Sequence, residues 1–225
     1  QFAWISMVLV TPDCQRRGIA GELLGLCIAE IETRGLVAGL DATPAGRPIY
    51  QALGFSDIYG LQRLHCAEWR DGSPILVPDG LTLQPLKAEN IGVVAAFDAP
   101  YFGGDRNGLL EHLVIRKTGQ AWIATMDANG EIAGYVLARE GRECPQVGPL
   151  VAVSEDVALA LVERALSEFI GPLYVDVADR HAKLNALLTS RGFVPQRPFT
   201  RMLKGRAQSF DDPARIFAIA GPELG

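Results

Sequence analysis

The sequence predicts an α/β chain, an α+β arrangement around a mixed sheet, built as two similar domains in tandem. Three observations predict it. The run Met7-Val-Leu-Val10 is apolar and β-branched, Thr11-Pro12-Asp13 breaks it, and Gln15-Arg-Arg-Gly-Ile-Ala-Gly21 leads into a helical pattern. Strand-like and helix-like segments then alternate to the end of the chain. Finally, Leu188-x-x-x-Gly192-Phe193 echoes Tyr50-x-x-x-Gly54-Phe55 a domain's length upstream.

Phe2 to Val10 is the expected opening strand. Gly18 to Arg34 reads as a helix whose buried face carries Ile19, Leu23, Leu26, Cys27 and Ile31 at helical spacing. Gly35 suits a left-handed stop. Leu36 to Asp41 is a second strand, expected parallel to the first because a helix joins them. Ligands of such sheets sit at the carboxyl ends of the strands, where Asp41, Ala42 and Thr43 fall. Thr43-Pro44 reads as a helix cap and first-turn proline, and Pro48 predicts an irregular start to the helix that ends at Gly54-Phe55. Phe55 to Tyr59 and Leu61 to His65 read as a closing hairpin.

Turn-rich residues at 71–80 mark a linker between a first domain, residues 1–70, and a second, residues 81–205. The second opens with a strand, Leu81 to Leu86. Helices follow at Glu89 to Phe97 and Asn107 to Lys117. Strands Gln120 to Met126 and Glu131 to Arg139 flank the turn Asp127-Ala-Asn-Gly130. Val147 to Val153 is a strand, Asp156 to Phe169 a helix, Leu173 to Val177 a strand, Ala182 to Arg191 a helix, and Thr200 to Lys204 the last strand. Residues 206–225 form a tail whose end, from Arg215, is apolar enough to dock.

Composition narrows the functional classes. Hydrophobic residues make up 48% of the 225-residue chain and charged residues 21%, which fits a packed core. A net charge of -5 argues against a general nucleic-acid surface. No apolar run approaches membrane-spanning length. The four cysteines and three histidines are scattered without metal-ligand spacing, so no metal is expected. Cys14 stands beside the loop as a lining residue, and a reducing cytoplasm is the expected compartment.

The segment from Gln15 to Gly21 carries the chemistry. It lies between a strand and a helix start, where backbone N–H groups lack intrahelical partners and the helix dipole is positive. Gly18, Ala20 and Gly21 add no bulk there, and Arg16 and Arg17 bring charge, so a pyrophosphate fits. A plain strand-to-helix turn of small residues is the other reading. No Lys-Ser/Thr follows for a P-loop, and Gly18-x-x-Gly21 lacks the first glycine of a dinucleotide fingerprint.

The spacing Gln15-x-x-Gly18-x-Ala20, preceded by Val10-x-Pro12, resembles the acyl-CoA loop of the GNAT N-acetyltransferase superfamily. Tyr50-x-x-x-Gly54-Phe55 resembles that family's second signature, and Thr43 stands where many members carry Asn. The order of elements from Leu81 onward is similar to the complete GNAT order. The resemblance therefore implies tandem GNAT domains, the first lacking the half that the family places before this point and the second degenerate. It implies acetyl-CoA as acyl donor, a small-molecule or peptide amine as acceptor, and direct attack in a ternary complex. No nucleic acid or membrane partner is expected, and homodimerisation stays open. By the family's pattern, the strand at Val8, Leu9 and Val10 pairs with the pantetheine. Gln15, Arg16, Arg17, Gly18, Ile19, Ala20 and Gly21 hold the pyrophosphate, and Tyr50 is the proton donor to the leaving thiolate. No base stands out, since Phe2 to Val10 holds no carboxylate and Asp41 follows a strand. A CoA-binding regulator without catalysis and a partner-binding tandem module are the competing classes.

Overall fold

A computed structural model describes residues 2–70, 75–115 and 120–225. The expected linker residues 71–74 and the expected helix end at 116–117 lie outside them. Among the described residues ten strands form one sheet. In chain order the elements are β1 (Phe2–Trp4), α1 (Ile19–Thr33), β2 (Val37–Ala42), α2 (Arg47–Ala52) and β3 (Phe55–Trp69). Then come β4 (Leu81–Pro85), α3 (Ile91–Phe102), α4 (Asn107–Ile115), β5 (Trp122–Met126), β6 (Ile132–Arg139) and β7 (Gln146–Ala152). The chain closes with α5 (Glu155–Leu166), β8 (Gly171–Ala178), α6 (Ala182–Ser190), β9 (Val194–Lys204) and β10 (Ile216–Ala218).

Across the sheet the order is β1-β2-β9-β3-β8-β10-β7-β6-β5-β4. The two sequence halves therefore interleave. β9, from the second half, lies between β2 and β3 of the first, and β3 lies between β9 and β8. The expected hairpin at Phe55 to His65 is instead one 15-residue strand. Gly60 is no turn: a Cβ there would meet the Asp179 Oδ2 at 2.0 Å, so the glycine admits a close approach within a strand. β9 starts at Val194, upstream of the expected Thr200. Its Pro195 and Pro198 pair only with β3, and only its second half also pairs with β2, so neither proline interrupts a two-sided ladder.

Alternating strand residues feed opposite layers. Val136, Leu150 and Ala152 pack with Leu161 and Val162 of α5 and Leu184 and Leu188 of α6. Tyr135, Leu137 and Val151 pack with α3 and α4 on the other face. Around β2, the core consists of Leu24, Ile28 and Ile31 of α1 with Ala38, Leu40, Ala42, Phe55 and Met202. This corrects the expected buried face of α1. Only Ile31 of the expected set is buried; Leu23 is 48% and Leu26 70% exposed, and Cys27 is exposed. The helix is apolar on two adjacent stripes, and periodicity alone does not say which one meets the sheet. Among the described residues no helix is long and apolar enough to cross a membrane.

Candidate active site

β1 runs parallel to β2 for three pairs, ending at Trp4 opposite Gly39, and Ile5 adds one bond to the Gly39 carbonyl at 2.8 Å. β2 then continues through Leu40, Asp41 and Ala42, paired only with β9. The two strands have parted, and the β1-facing edge of β2 is left open. Asp41 reflects this: its side chain has no exposed surface, yet the residue is part-exposed, so what faces solvent is backbone.

The expected strand through Val10 is thus corrected. Val8, Leu9 and Val10 lie outside regular structure. Beyond Ile5 the chain leaves the open edge of β2, and Met7 adopts a left-handed φ of 57° that turns it away. Val8 still packs on the core around β2 that receives Tyr50, whereas Leu9 is 73% exposed. With Leu23, Leu26 and Cys27 these residues line an apolar groove of about 690 Å³.

The loop then closes on itself. Pro12–Cys14 forms a single 3-10 turn, and the Gln15 side-chain amide donates to the Val10 carbonyl at 3.2 Å. Arg16 is left-handed (φ 61°), as is Gly18 (φ 82°), which caps α1 with no side-chain bond. A non-glycine residue in that region stores strain, which collects at binding loops. The first intrahelical bond runs from Glu22 to Gly18 at 3.0 Å, so the N–H groups of Ile19, Ala20 and Gly21 precede the ladder. Cβ atoms added at Gly18 or Gly21 would meet nothing within 4 Å. Arg16 and Arg17 are exposed, with no carboxylate partner among the described residues; Arg17 contacts the Cys14 Sγ at 3.8 Å. The N–H groups of Ile19, Ala20 and Gly21, with the exposed Arg16 and Arg17 beside them in sequence, thus offer donors and positive charge over open space, which fits an anion.

Thr43 caps the turn leading into α2 as expected, its hydroxyl accepting from the Gly46 N–H at 3.3 Å. Its carbonyl accepts from Gly46 and Arg47 at 3.0 and 2.9 Å, and the helix begins only at Arg47, past Pro44. Tyr50 packs edge-on against Phe55, ring centroids 5.9 Å apart, and against the core around β2. Partial burial pushes its phenol above the ordinary tyrosine range, so it stays protonated at neutral pH.

Asp41 is occupied. Arg201 of β9 clasps its carboxylate with two bonds of 3.0 Å and reaches the Asp211 carboxylate at 2.6 Å, while Tyr59 donates to Asp211 at 2.6 Å. The Arg201 guanidinium also lies 4.8 Å from the centre of the Trp4 ring. Burial lifts the Asp41 carboxyl above the ordinary range, with Arg201 opposing. Sequence reading missed Arg201 and Asp211, because nothing local in a strand or a tail signals a partner in the other half. Glu223 in the tail is likewise bound, to Arg139.

The same arrangement recurs in the second half with different contents. β7 and β8 are parallel for two pairs, Gln146 with Tyr174 and Val147 with Val175, and then separate around β10. α5 is capped by the Ser154 hydroxyl, and Glu155 and Asp156 fill its first turn, both paired with Lys183. Leu188, fully buried, stands where Tyr50 stands.

Two parallel strand pairs that part beside a helix start, repeated in one mixed sheet, define an acyltransferase-type fold. Models of the acetyltransferase (GNAT) domain match twice, over residues 94–218 and 3–64. The chain belongs to the GNAT acetyltransferase family. It is 26% identical over 189 residues to the uncharacterized N-acetyltransferase YitH of Bacillus subtilis, covering 84% of this chain and 65% of that protein, so it spans less than two thirds of its relative. A putative acetyltransferase from Pyrococcus horikoshii superposes with a TM-score of 0.75 at 24% identity, over 99% of this chain and 72% of that one. A tandem GNAT protein from the clavulanic acid biosynthesis pathway gives 0.56 at 18% identity, over 87% and 72%.

Proposed function

We propose that the chain is part of an N-acetyltransferase that moves the acetyl group of acetyl-CoA to a primary amine of a small molecule or peptide in a ternary complex. One observation carries this reading: β2 is open along Leu40 to Ala42 where β1 leaves it, and the chain that leaves it leads through Gln15 to Gly21 into the donor-rich start of α1. An extended amide-bearing arm can pair with Leu40 to Ala42 while its phosphates meet the N–H groups of Ile19, Ala20 and Gly21. Gln15 braces the loop, Arg16 and Arg17 supply charge, and Gly18 keeps the approach clear. Ile5 and Val8 form the apolar wall between loop and core. Acetyl-CoA supplies the activated acyl group.

The chain's own chemistry is then modest. Tyr50 holds a proton on Oη in a half-buried site that keeps it there, ready for a leaving thiolate. Asp41 is not the base, since its carboxylate is committed to Arg201. Proton removal from the amine falls to water or to residues outside these. The second domain, with its acidic helix start and Leu188, binds no acyl donor. Release of free thiol from acetyl-CoA, measured with a panel of amines and the longest available form of the protein, tests the reading. Acetyl-CoA binding without turnover on any amine would leave the regulator.

A further inference from the structure

The segment Pro213–Ala220 has more structure around it than a tail needs. Ile216, Phe217, Ala218, Ile219 and Ala220 are each at most 2% exposed. β10 runs antiparallel to both β7 and β8, with Ala218 opposite Leu150 on one side and Val177 on the other. Bonds outside the ladder extend the pairing: the Ala152 N–H donates to the Arg215 carbonyl at 3.1 Å, and the Ile219 N–H to the Asp176 carbonyl at 3.0 Å.

The surroundings are shaped to this segment. A Cβ on Gly148 would lie 2.1 Å from the Ile219 carbonyl oxygen, so β7 carries a glycine where the segment passes closest. His181, at the start of α6, bonds the Ile216 carbonyl through Nε2 at 2.9 Å and stacks on Phe217 with centroids 4.0 Å apart. Past the strand, Arg139 holds the Ala220 carbonyl at 2.7 Å, and the Pro222 carbonyl accepts from the Trp4 indole at 3.0 Å.

We propose that the cleft between β7 and β8 is a strand-binding site whose ligand is the chain's own segment Pro213–Ala220, seated where the first domain leaves β2 open for the acyl donor. Both clefts are made by parallel strands that part after a short pairing, and each accepts an extended backbone. The first offers an anion site at its helix start. The second has Ser154, Glu155 and Asp156 there, so a phosphate-free peptide strand is the ligand it suits. Through Pro222 the bound segment then props Trp4, the last residue of β1. The comparison with the acyl-donor cleft rests on the reading above; the strand-binding site itself does not.

Hydrogen exchange on the intact chain tests it without acetyl-CoA. The amides of Ala152 and Ile219 should exchange together, at least about tenfold faster than the β6–β7 ladder, through local release of the segment. Gly148→Ala should speed those amides by about a further tenfold and leave the β4–β5 ladder unchanged. Exchange of these amides only at the rate of the ladder would overturn the proposal. A chain ending at Asp212 keeps Asp211 for Arg201; a synthetic peptide of residues 213–225 should bind it one to one and restore protection at Ala152. A peptide that neither binds nor restores protection, or a truncated chain that it does not help to fold, also overturns it.

Discussion

Arg201 on β9 and Asp41 on β2 meet through two hydrogen bonds of 3.0 Å, across 160 residues of chain, with no exposed surface on either side chain. Asp211 shares the same guanidinium. The contact ties the strand beside the candidate acyl-donor cleft to the second domain. Removing Arg201 leaves two buried carboxylates facing each other. Arg201→Met should destabilise the chain by about 3–5 kcal/mol in urea unfolding. Arg201→Lys should recover little of this, since a point charge cannot make the forked contact. Near-wild-type stability of either variant would assign the network no structural role.

At Gly18 the left-handed backbone and the open approach can be separated. Gly18→Ala introduces left-handed strain without charge; Gly18→Asp introduces the same strain and adds a carboxylate facing the N–H groups of α1. Acetyl-CoA affinity, measured by calorimetry, should fall about 10- to 100-fold more for Asp than for Ala, equivalent to roughly 1.4–2.8 kcal/mol. Equal effects would move the phosphate site elsewhere.

For Tyr50 the expectation splits binding from turnover. Tyr50→Phe keeps the edge contact with Phe55 and removes only the proton. The rate should drop by about 10²–10⁴-fold with acetyl-CoA affinity unchanged, provided the chemical step limits the rate. An unaltered chemical step would take Tyr50 out of the mechanism.

His181 gives the fold a pH dependence. Burial depresses its pKa below the ordinary 6.5, against the carbonyls of Ile216 and Pro213 and with Arg180 and Glu155 acting in opposite senses. The folded form therefore binds fewer protons than the unfolded one as pH falls below about 6.5. The stability is complete above that pH and is lost as pH drops toward the folded value. Melting midpoints should fall between pH 7.5 and 5.5, and His181→Gln should flatten that part of the curve. An identical slope in the variant would place the titration on another group.

Calorimetric titration with acetyl-CoA should give one site per chain. Two equivalent sites would mean that the acidic start of α5 does not exclude the donor.

What could be read in the sequence was local. The Gln15 to Gly21 loop, the helix stops at Gly35, Gly54 and Gly192, and the elements of the second half all rest on neighbours within a few residues. What escaped depends on residues far apart. Whether Phe55 to Trp69 folds back or runs on is decided by β8 and β9, more than a hundred positions away. The apolar stripe of α1 that is buried is chosen by Ala38, Leu40 and Met202. Arg201 looks like any strand residue until Asp41 and Asp211 are beside it. Ile216 to Ala218 read as an apolar tail because three residues carry no periodicity; only the parting of β7 and β8 makes them a strand.

Because β9 sits between β2 and β3, the second copy of the fold completes the sheet of the first. A duplicated domain that only hung from a tether could decay and be lost. Here, loss of the second copy would strip β2 of the strand that, among the described residues, pairs along its Leu40–Ala42 segment, and with it the support of the first copy's candidate cleft. Divergence at the helix start and structural retention are thereby uncoupled: the second copy can carry Ser154, Glu155, Asp156 and Leu188 at these places, and its framework is still required by the first.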